Sequence, residues 1–349
     1  MAEDISTSHH LLDALRGYQE IIVVMHDNPD PDAIASGWAI GTIIEEKLGL
    51  GVRLVAGGAI VRAENRHMVD LLAPPVQLVI NIDIPDNAAA VLVDCGLDAD
   101  NQLLTRDGIE PVAVIDHHLT DQAPREIPFV DVRPDVAASA TIAASYLREQ
   151  SIEPGPKLAT ALTYAMRTET RGCEFRYSVL DHEMLVWLTR RAEPELLAEI
   201  ESAPLEREYY ADLAAALRAT EIYHRTGYCL LPRAAGPEIV GEIADLLIRC
   251  KEVECVLCAA LCDDDVVISA RTEFQGMNAA RLLRKTLAEL GHCGGHRHRA
   301  GGKIAKVKQE PQIVADLCNE LRRRWLAACG IESDERSAPL LIDDTCPPE

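Results

Sequence analysis

The sequence predicts an α/β protein in two parts: an N-terminal parallel-sheet domain, a smaller C-terminal α/β domain and a cleft between them. Three observations predict it. The chain has 349 residues, 48% of them hydrophobic, which is enough for two independent cores. Its first half alternates short β-branched runs with Ala- and Leu-rich helical stretches, the rhythm of βαβ units in a parallel sheet. Beyond residue 224 the pattern changes to closely spaced strands with helices between them.

In order along the chain, residues 21–25 read as a buried strand, 33–47 as a helix, 52–56 as a strand and 62–72 as a helix. Residues 78–84, 90–93 and 111–115 are apolar runs, each stopped by an Asp or an Asp cluster. The rhythm implies helices on both faces of the sheet, with polar residues after the strands at the rim where ligands bind. Residues 154–220 are mostly helical and end in a connector. Strands follow at 228–231, 254–261 and 266–271, with helices at 241–251, 277–290 and 311–328. The expected division is 1–200, a connector at 201–224, a second domain at 225–330 and a flexible acidic tail at 331–349.

Composition narrows the function. A formal net charge of −22 disfavours a general coat for long nucleic acids. No apolar run approaches the roughly 18–20 residues of a membrane span. The first ten residues are polar and lack a secretion-signal core, and 11 cysteines without such a signal suit a reducing cytoplasm.

The chemistry concentrates after the strands. His26-Asp27-Asn28-Pro29-Asp30-Pro31-Asp32-Ala33 follows residues 21–25 directly. Its two prolines stiffen a turn in which His26, Asp30 and Asp32 can converge, and Asp32 sits where a helix N-cap belongs. One imidazole with two carboxylates suits manganese, iron or a similar divalent ion; the plainer alternative is an acidic capping loop. Asp94 ends the run at 90–93, and Asp116-His117-His118 ends that at 111–115. Three strands thus deliver His and Asp groups to one rim. Ala138-Ser139-Ala140-Thr141 opens a helix whose N–H groups suit an anion, with Ser139 and Thr141 as candidate contacts; simple N-capping is the alternative. Arg62 to His67 opens another helix, as a cleft lining or as a solvated face.

These motifs resemble the first three of the DHH phosphoesterase superfamily, whose members hydrolyse phosphodiesters or phosphoanhydrides with two metal ions, usually manganese. The counterpart of its fourth motif is Thr168-Glu169-Thr170, with Glu169 where the family has Asp. The resemblance implies one metal held by His26, Asp30 and Asp94, and a second by Asp32, Asp94, His117 and Glu169. Mn2+ is the expected ion, with Mg2+ or another divalent metal as the variant. Asp116 would orient a neighbouring histidine, and His118 would face the scissile phosphate.

In the second half, Gly294-Gly295-His296-Arg297-His298-Arg299-Ala300-Gly301-Gly302 combines glycines that admit close phosphate approach with His296 and Arg299 as donors. It is similar to the glycine loop of the DHH-associated C-terminal domain, and Arg271 matches that family's substrate arginine. Cys250, Cys255, Cys258 and Cys262 invite a zinc reading, but the segment fits an apolar core strand.

The resemblance therefore implies a two-metal phosphodiesterase, with its active site in the cleft and a short nucleotide substrate. Linear dinucleotides, short oligoribonucleotides, cyclic di-AMP-type dinucleotides and pAp are the candidates. No membrane or stable long nucleic-acid partner is expected, and a homodimer stays open. The alternatives are a nucleotide sensor weakened by Glu169, and a pyrophosphatase.

Overall fold

Helix α1 (Thr7–Leu15) leads into β1 (Glu20–Val24), where Ile21 to Val24 are fully buried. A strand covered on both faces belongs inside a parallel sheet. The computed structural model describes residues 7–97, 99–118, 126–170, 178–234, 236–273, 276–295, 297–332 and 335–341. Two units divide the chain, Met1–Pro204 and Leu205–Glu349.

In the first unit, α2 (Pro31–Leu48), β2 (Gly51–Ala56), α3 (Ala63–Leu72) and β3 (Val76–Leu78) follow β1. Then come β4 (Ala88–Val93), α4 (Leu103–Asp107), β5 (Ala113–Asp116) and β6 (Phe129–Val132). The six strands lie in the order β3-β2-β1-β4-β5-β6, every pair parallel. The chain grows outward from β1 to one edge, then returns to β4 and grows to the other. The β1/β4 boundary is therefore the switch point beyond which ligands of such sheets bind.

Cover on the two faces is unequal. Alternate residues such as Ile21, Val23, Val91 and Ile115 join a large core with α2, α3, α5 (Ser139–Glu149), α6 (Pro156–Thr170), α7 (Val179–Thr189) and α8 (Pro194–Glu201). Their neighbours Ile22, Val24, Leu92 and Val114 pack under α4 and loops. The expected helical cover on both faces is thus thin on one of them. The run at 78–84 explains part of this: β3 ends at Leu78, and Val79, Ile82 and Ile84 pack on the thin face while Ile80 stays 87% exposed. With Asn81 and Asp83 interleaved, that segment caps the sheet instead of extending a strand.

The second unit contains α9 (Arg207–Ala219), β7 (Glu221–Tyr223), β8 (Thr226–Leu231), α10 (Glu238–Leu247), β9 (Cys255–Cys262) and β10 (Asp265–Thr272). It continues with α11 (Ala279–Thr286), β11 (His292–Gly295), β12 (Arg299–Ile304), α12 (Pro311–Ala328) and β13 (Ala338–Pro339). Its sheet runs β11-β12-β10-β9-β8-β7-β13, antiparallel except for the parallel β8/β9 pair. Helices α9 and α10 cover one face, and α11 and α12 the other. Within the segment read as a tail, Ala338 and Pro339 pair with Ile222 and Glu221.

The cysteines follow the pleat. Cys255 enters the core on the α12 side, whereas Cys258 and Cys262 enter the core on the α10 side, as a period of two demands at a spacing of three. Cys255 and Cys258 therefore cannot share an ion. The glycine segment is a hairpin, with Gly294 opposite Gly301 and Gly295 opposite Ala300. Gly295 has φ 135°, and a Cβ there would lie 2.4 Å from the Arg299 carbonyl oxygen. Among the described residues, no helix is long and apolar enough to cross a membrane.

Trp325 anchors α12, with no exposed surface and its Nε1–H donated to the Gly227 carbonyl at 3.1 Å. Replacing it empties a core site and orphans an acceptor. Trp325→Ala is expected to destabilise the second unit by about 3–5 kcal/mol, measured by urea unfolding followed by circular dichroism.

Candidate metal centre

Three neighbouring strand ends build the centre. His26 follows β1, Asp94 follows β4, and β5 ends in Asp116 with His117 and His118 after it. Asp30 is the N-cap of α2: its Oδ1 accepts from the N–H of Asp32 at 2.9 Å and of Ala33 at 3.1 Å. Pro31 fills the first helical position, where its missing N–H costs nothing. This local chemistry places Asp32 in the first turn, buried to 1% exposure. Asp94 adopts the left-handed region with φ 57°, a strained state for most side chains that Asp tolerates better than others. Its N–H is tied to the Ile115 carbonyl at 2.9 Å.

The two oxygens of Asp94 serve different sides. Oδ2 lies 3.7 Å from His26 Nε2, which is 3.8 Å from Asp30 Oδ1. Oδ1 lies 3.5 Å from His117 Nε2, which is 3.6 Å from Asp32 Oδ2. His26 donates its Nδ1–H to the Asp27 carbonyl at 2.8 Å, so Nε2 is the nitrogen left to face a cation. Two groups of ligand atoms close enough to hold an ion result: His26, Asp30 and Asp94, and Asp94, His117 and His118. The first is the expected set. In the second, His118 stands with Asp94 and His117, and Asp32 approaches through His117. Glu169, in the last turn of α6, joins neither group, although its charge acts on Asp32.

Crowded charge makes the site a cation trap. Burial, then Glu169 and Asp30, push the Asp32 carboxyl well up. Burial and the charges of Asp32, Asp30 and Asp116 do the same to Asp94. Burial works against protonation of His26, but the hydrogen bond and charge of Asp30 prevail and raise it to about 9. Burial likewise opposes a charged His118, and Asp116 overcomes it and raises the imidazole. Asp116 Oδ1 accepts from the N–H groups of His117 (2.8 Å) and His118 (3.1 Å) and from His118 Nδ1 (2.7 Å). Its Oδ2 is buried without a hydrogen-bond partner among the described residues. Cys95, beside Asp94, is kept a neutral thiol by burial and by the charges of Asp116 and Asp94. The donors are therefore imidazole and carboxylate, a set suited to manganese or magnesium.

The start of α5 has another role than anion capture from solvent. Its N–H groups at Ser139 and Ala140 donate to the two Asp32 oxygens at 2.8 and 2.7 Å, and Ser139 Oγ donates to Asp94 Oδ1 at 2.8 Å. The anion at this helix terminus is the protein's own carboxylate. Thr141 donates to Asp181 at 2.5 Å, and both are fully buried. Asp181 also closes a capping box with Ser178 at the start of α7; that Ser-x-x-Asp spacing was the signal in the sequence for it. Ser139 and Thr141 thus support the centre from within the fold. His67 faces Glu199 of α8 at 3.5 Å.

In the second unit, Arg271 is 11% exposed and spends its donors internally. Nε meets Asp245 at 2.5 Å, and Nη1 donates to Ser269 Oγ at 2.6 Å and the Ala270 carbonyl at 3.0 Å. Arg299 pairs across the strands with Arg271 and lies 3.9 Å from Asp245. Gly294 and Gly295 are exposed on the edge strand β11. His296 lies outside the described residues.

Residues 20–166 match the model of the DHH family, N-terminal domain, and residues 227–323 that of the DHHA1 domain. An uncharacterised protein of Methanocaldococcus jannaschii is 28% identical over 323 residues, covering 90% of this chain and 65% of the relative. The chain thus spans 65% of the length of that curated relative. Among solved structures, the fold is similar to an exopolyphosphatase-related protein from Bacteroides fragilis, with TM-score 0.68 and 14% identity over 94% of this chain and 100% of that one. It is also similar to RecJ from Thermus thermophilus in complex with Mn2+, with TM-score 0.52 and 15% identity over 93% of this chain and 54% of that one. These two likenesses concern the fold.

Groups with raised pKa hold protons that a cation must displace. Mn2+ binding is expected to release protons at neutral pH, and its affinity to climb as the pH rises toward about 9, where His26 gives up its proton, with the raised Asp32 and Asp94 adding to the release. Calorimetric titration in buffers of different ionisation enthalpy measures both; affinity independent of pH would contradict the assignment.

Proposed function

With a DHH N-terminal domain followed by a DHHA1 domain, the chain belongs to the DHH family, and we propose that it is a metal-dependent phosphodiesterase cutting short nucleotides to mononucleotides. DHH-family members are metal-dependent phosphoesterases. The observation that carries the reading is Asp94, whose two oxygens face His26 on one side and His117 on the other. A carboxylate so shared is suited to bridging two cations. His26, Asp30 and Asp94 would hold one; Asp94, His117 and Asp32, with Glu169 beside Asp32, would hold the other. Bound there, two divalent cations would acidify the attacking water and neutralise charge on the phosphate.

The chain's own groups account for the rest. His118, held through Nδ1 by Asp116, which favours its protonation, would donate from Nε2 to a phosphate oxygen or to the leaving oxygen. Asp116 orients that ring and takes no proton from substrate. The N-terminus of α5 keeps Asp32 and Asp94 aimed while the centre fills. In the second unit, the groups proposed to contact substrate phosphate are Arg299 and the exposed backbone at Gly294 and Gly295, with Arg271, braced by Asp245, opposite Arg299 in the sheet.

Charge supports a short substrate. Residues 271–308 contain nine Lys/Arg against two Asp/Glu in a chain of net charge −22. Long polyanions are repelled by the remainder, whereas a dinucleotide, a short oligoribonucleotide, a cyclic di-AMP-type dinucleotide or pAp carries few enough phosphates for local cations to neutralise. Mn2+ is the proposed ion and the cytoplasm the proposed setting.

A Mn2+-dependent substrate panel tests the reading, with linear dinucleotides of increasing length, cyclic di-AMP, pAp, pyrophosphate and long single-stranded DNA. Short nucleotides are expected to turn over, and Asp32→Ala and Asp116→Asn to lower the rate at least about a hundredfold. Near-wild-type rates in either variant would overturn the assigned centre. Tight nucleotide binding without turnover would favour the sensor, and preference for pyrophosphate a pyrophosphatase.

A further inference from the structure

We propose that the Arg106–Asp27 ion pair, seated on the bare backbone of Gly57, is the device that aims His26 at the metal centre. The inference rests on the metal-binding reading of His26 above.

On its Nδ1 side the ring of His26 is oriented by the bond from Nδ1–H to the Asp27 carbonyl at 2.8 Å. Where that carbonyl sits depends on how Asp27 is held, and Asp27 is held from three directions. Its N–H donates to the Asn101 carbonyl at 2.6 Å. Its carboxylate takes both prongs of the Arg106 guanidinium, Nη1 to Oδ2 at 2.5 Å and Nη2 to Oδ1 at 3.1 Å. Beneath the pair lies Gly57, where a Cβ would come within 2.0 Å of Asp27 Oδ1 and 2.8 Å of Arg106 Nη2. The next residue of the metal loop is pinned in the same way: Asn28 N–H donates to the Gly57 carbonyl at 3.0 Å, and Asn28 Oδ1 accepts from Ala59 N–H at 3.0 Å.

Arg106 is in turn placed by α4. Gln102, 1% exposed, caps that helix by accepting from the N–H of Leu104 at 2.7 Å and of Thr105 at 3.1 Å, and it forms a β-bridge with His26. The chain reaches Gln102 directly from Asp94. One segment therefore leaves one ligand of the first cluster, pairs with the other at Gln102, and locks it through Arg106. The Asp27 and Arg106 side chains are 14% and 42% exposed, and so open an ion pair contributes little to global stability. A bidentate fork fixes direction more than it adds energy. Arg106 is a positioning residue: it acts on His26 through Asp27.

Calorimetric Mn2+ titration of the full chain tests this, with thermal unfolding of the metal-free protein as the control for a merely structural role. Arg106→Met and Asp27→Asn are each expected to weaken one of two Mn2+ sites about tenfold and to leave the other site and the metal-free melting temperature unchanged. The double variant is expected to lose no more than the worse single one, because both remove one interaction. Gly57→Ala is expected to reproduce the loss by displacing the pair. Unchanged affinity in both single variants, additive losses in the double variant, or equal weakening of both sites with a lowered melting temperature would overturn the proposal. Failure of the wild-type chain to bind Mn2+ would instead overturn the metal reading, and this proposal with it.

Discussion

Like-charge repulsion at the carboxyl ends of β1, β4 and β5 is the constraint on which the N-terminal unit depends. Asp32, Asp94 and Asp116 are almost wholly buried within a few ångströms of two histidines. Burying a carboxylate is costly unless hydrogen bonds and opposite charge compensate. The compensation reaches far into the architecture. The start of α5 is turned toward Asp32, Ser139 leans on Asp94, and the β5 turn folds its own N–H groups onto Asp116. What these donors leave uncompensated is a demand for cations, and the imidazoles are spaced to share in meeting it.

The parallel sheet makes this concentration possible. At its β1/β4 switch point the chain leaves the two strands toward opposite edges of the sheet, so the loops after β1 and β4 meet there. Heavy helical cover on one face gives the strands a rigid base, while the thin face carries α4 and the segments that grip the metal loop. The second unit follows a different plan, a mostly antiparallel sheet with helices on both faces. There Asp245 braces Arg271 as the N-terminal unit braces its acids, with charge placed against charge.

Much of this was legible in the sequence. Apolar runs located β1, β4 and β5, ending at His26, Asp94 and Asp116, and the resemblance to the DHH motifs grouped His26 with Asp30 and Asp94. The strand β10 and the helix α12 were equally plain from their patterns. What was not legible depends on tertiary contact. Ser139 and Thr141 read as ligand contacts because a helix N-terminus looks the same whether its anion is a substrate or Asp32. The glycine hairpin read as a loop because glycines erase the alternation that marks a strand. Arg271 gave no hint of Asp245, which lies 26 residues away. The short helix α4 lacks enough residues to show a period, so nothing in the sequence singles out Arg106.

Residues 27, 57 and 106 are far apart in the chain yet form one mechanical part. The only side chain that position 57 can accept is none, and the reason lies in what occupies the other two. In a lineage of related chains the three would be inherited as a single character. A larger residue at 57 becomes tolerable once the acid at 27 or its arginine has gone. Drift at these positions would then record a change in how the first histidine is held, well before any ligand itself was replaced.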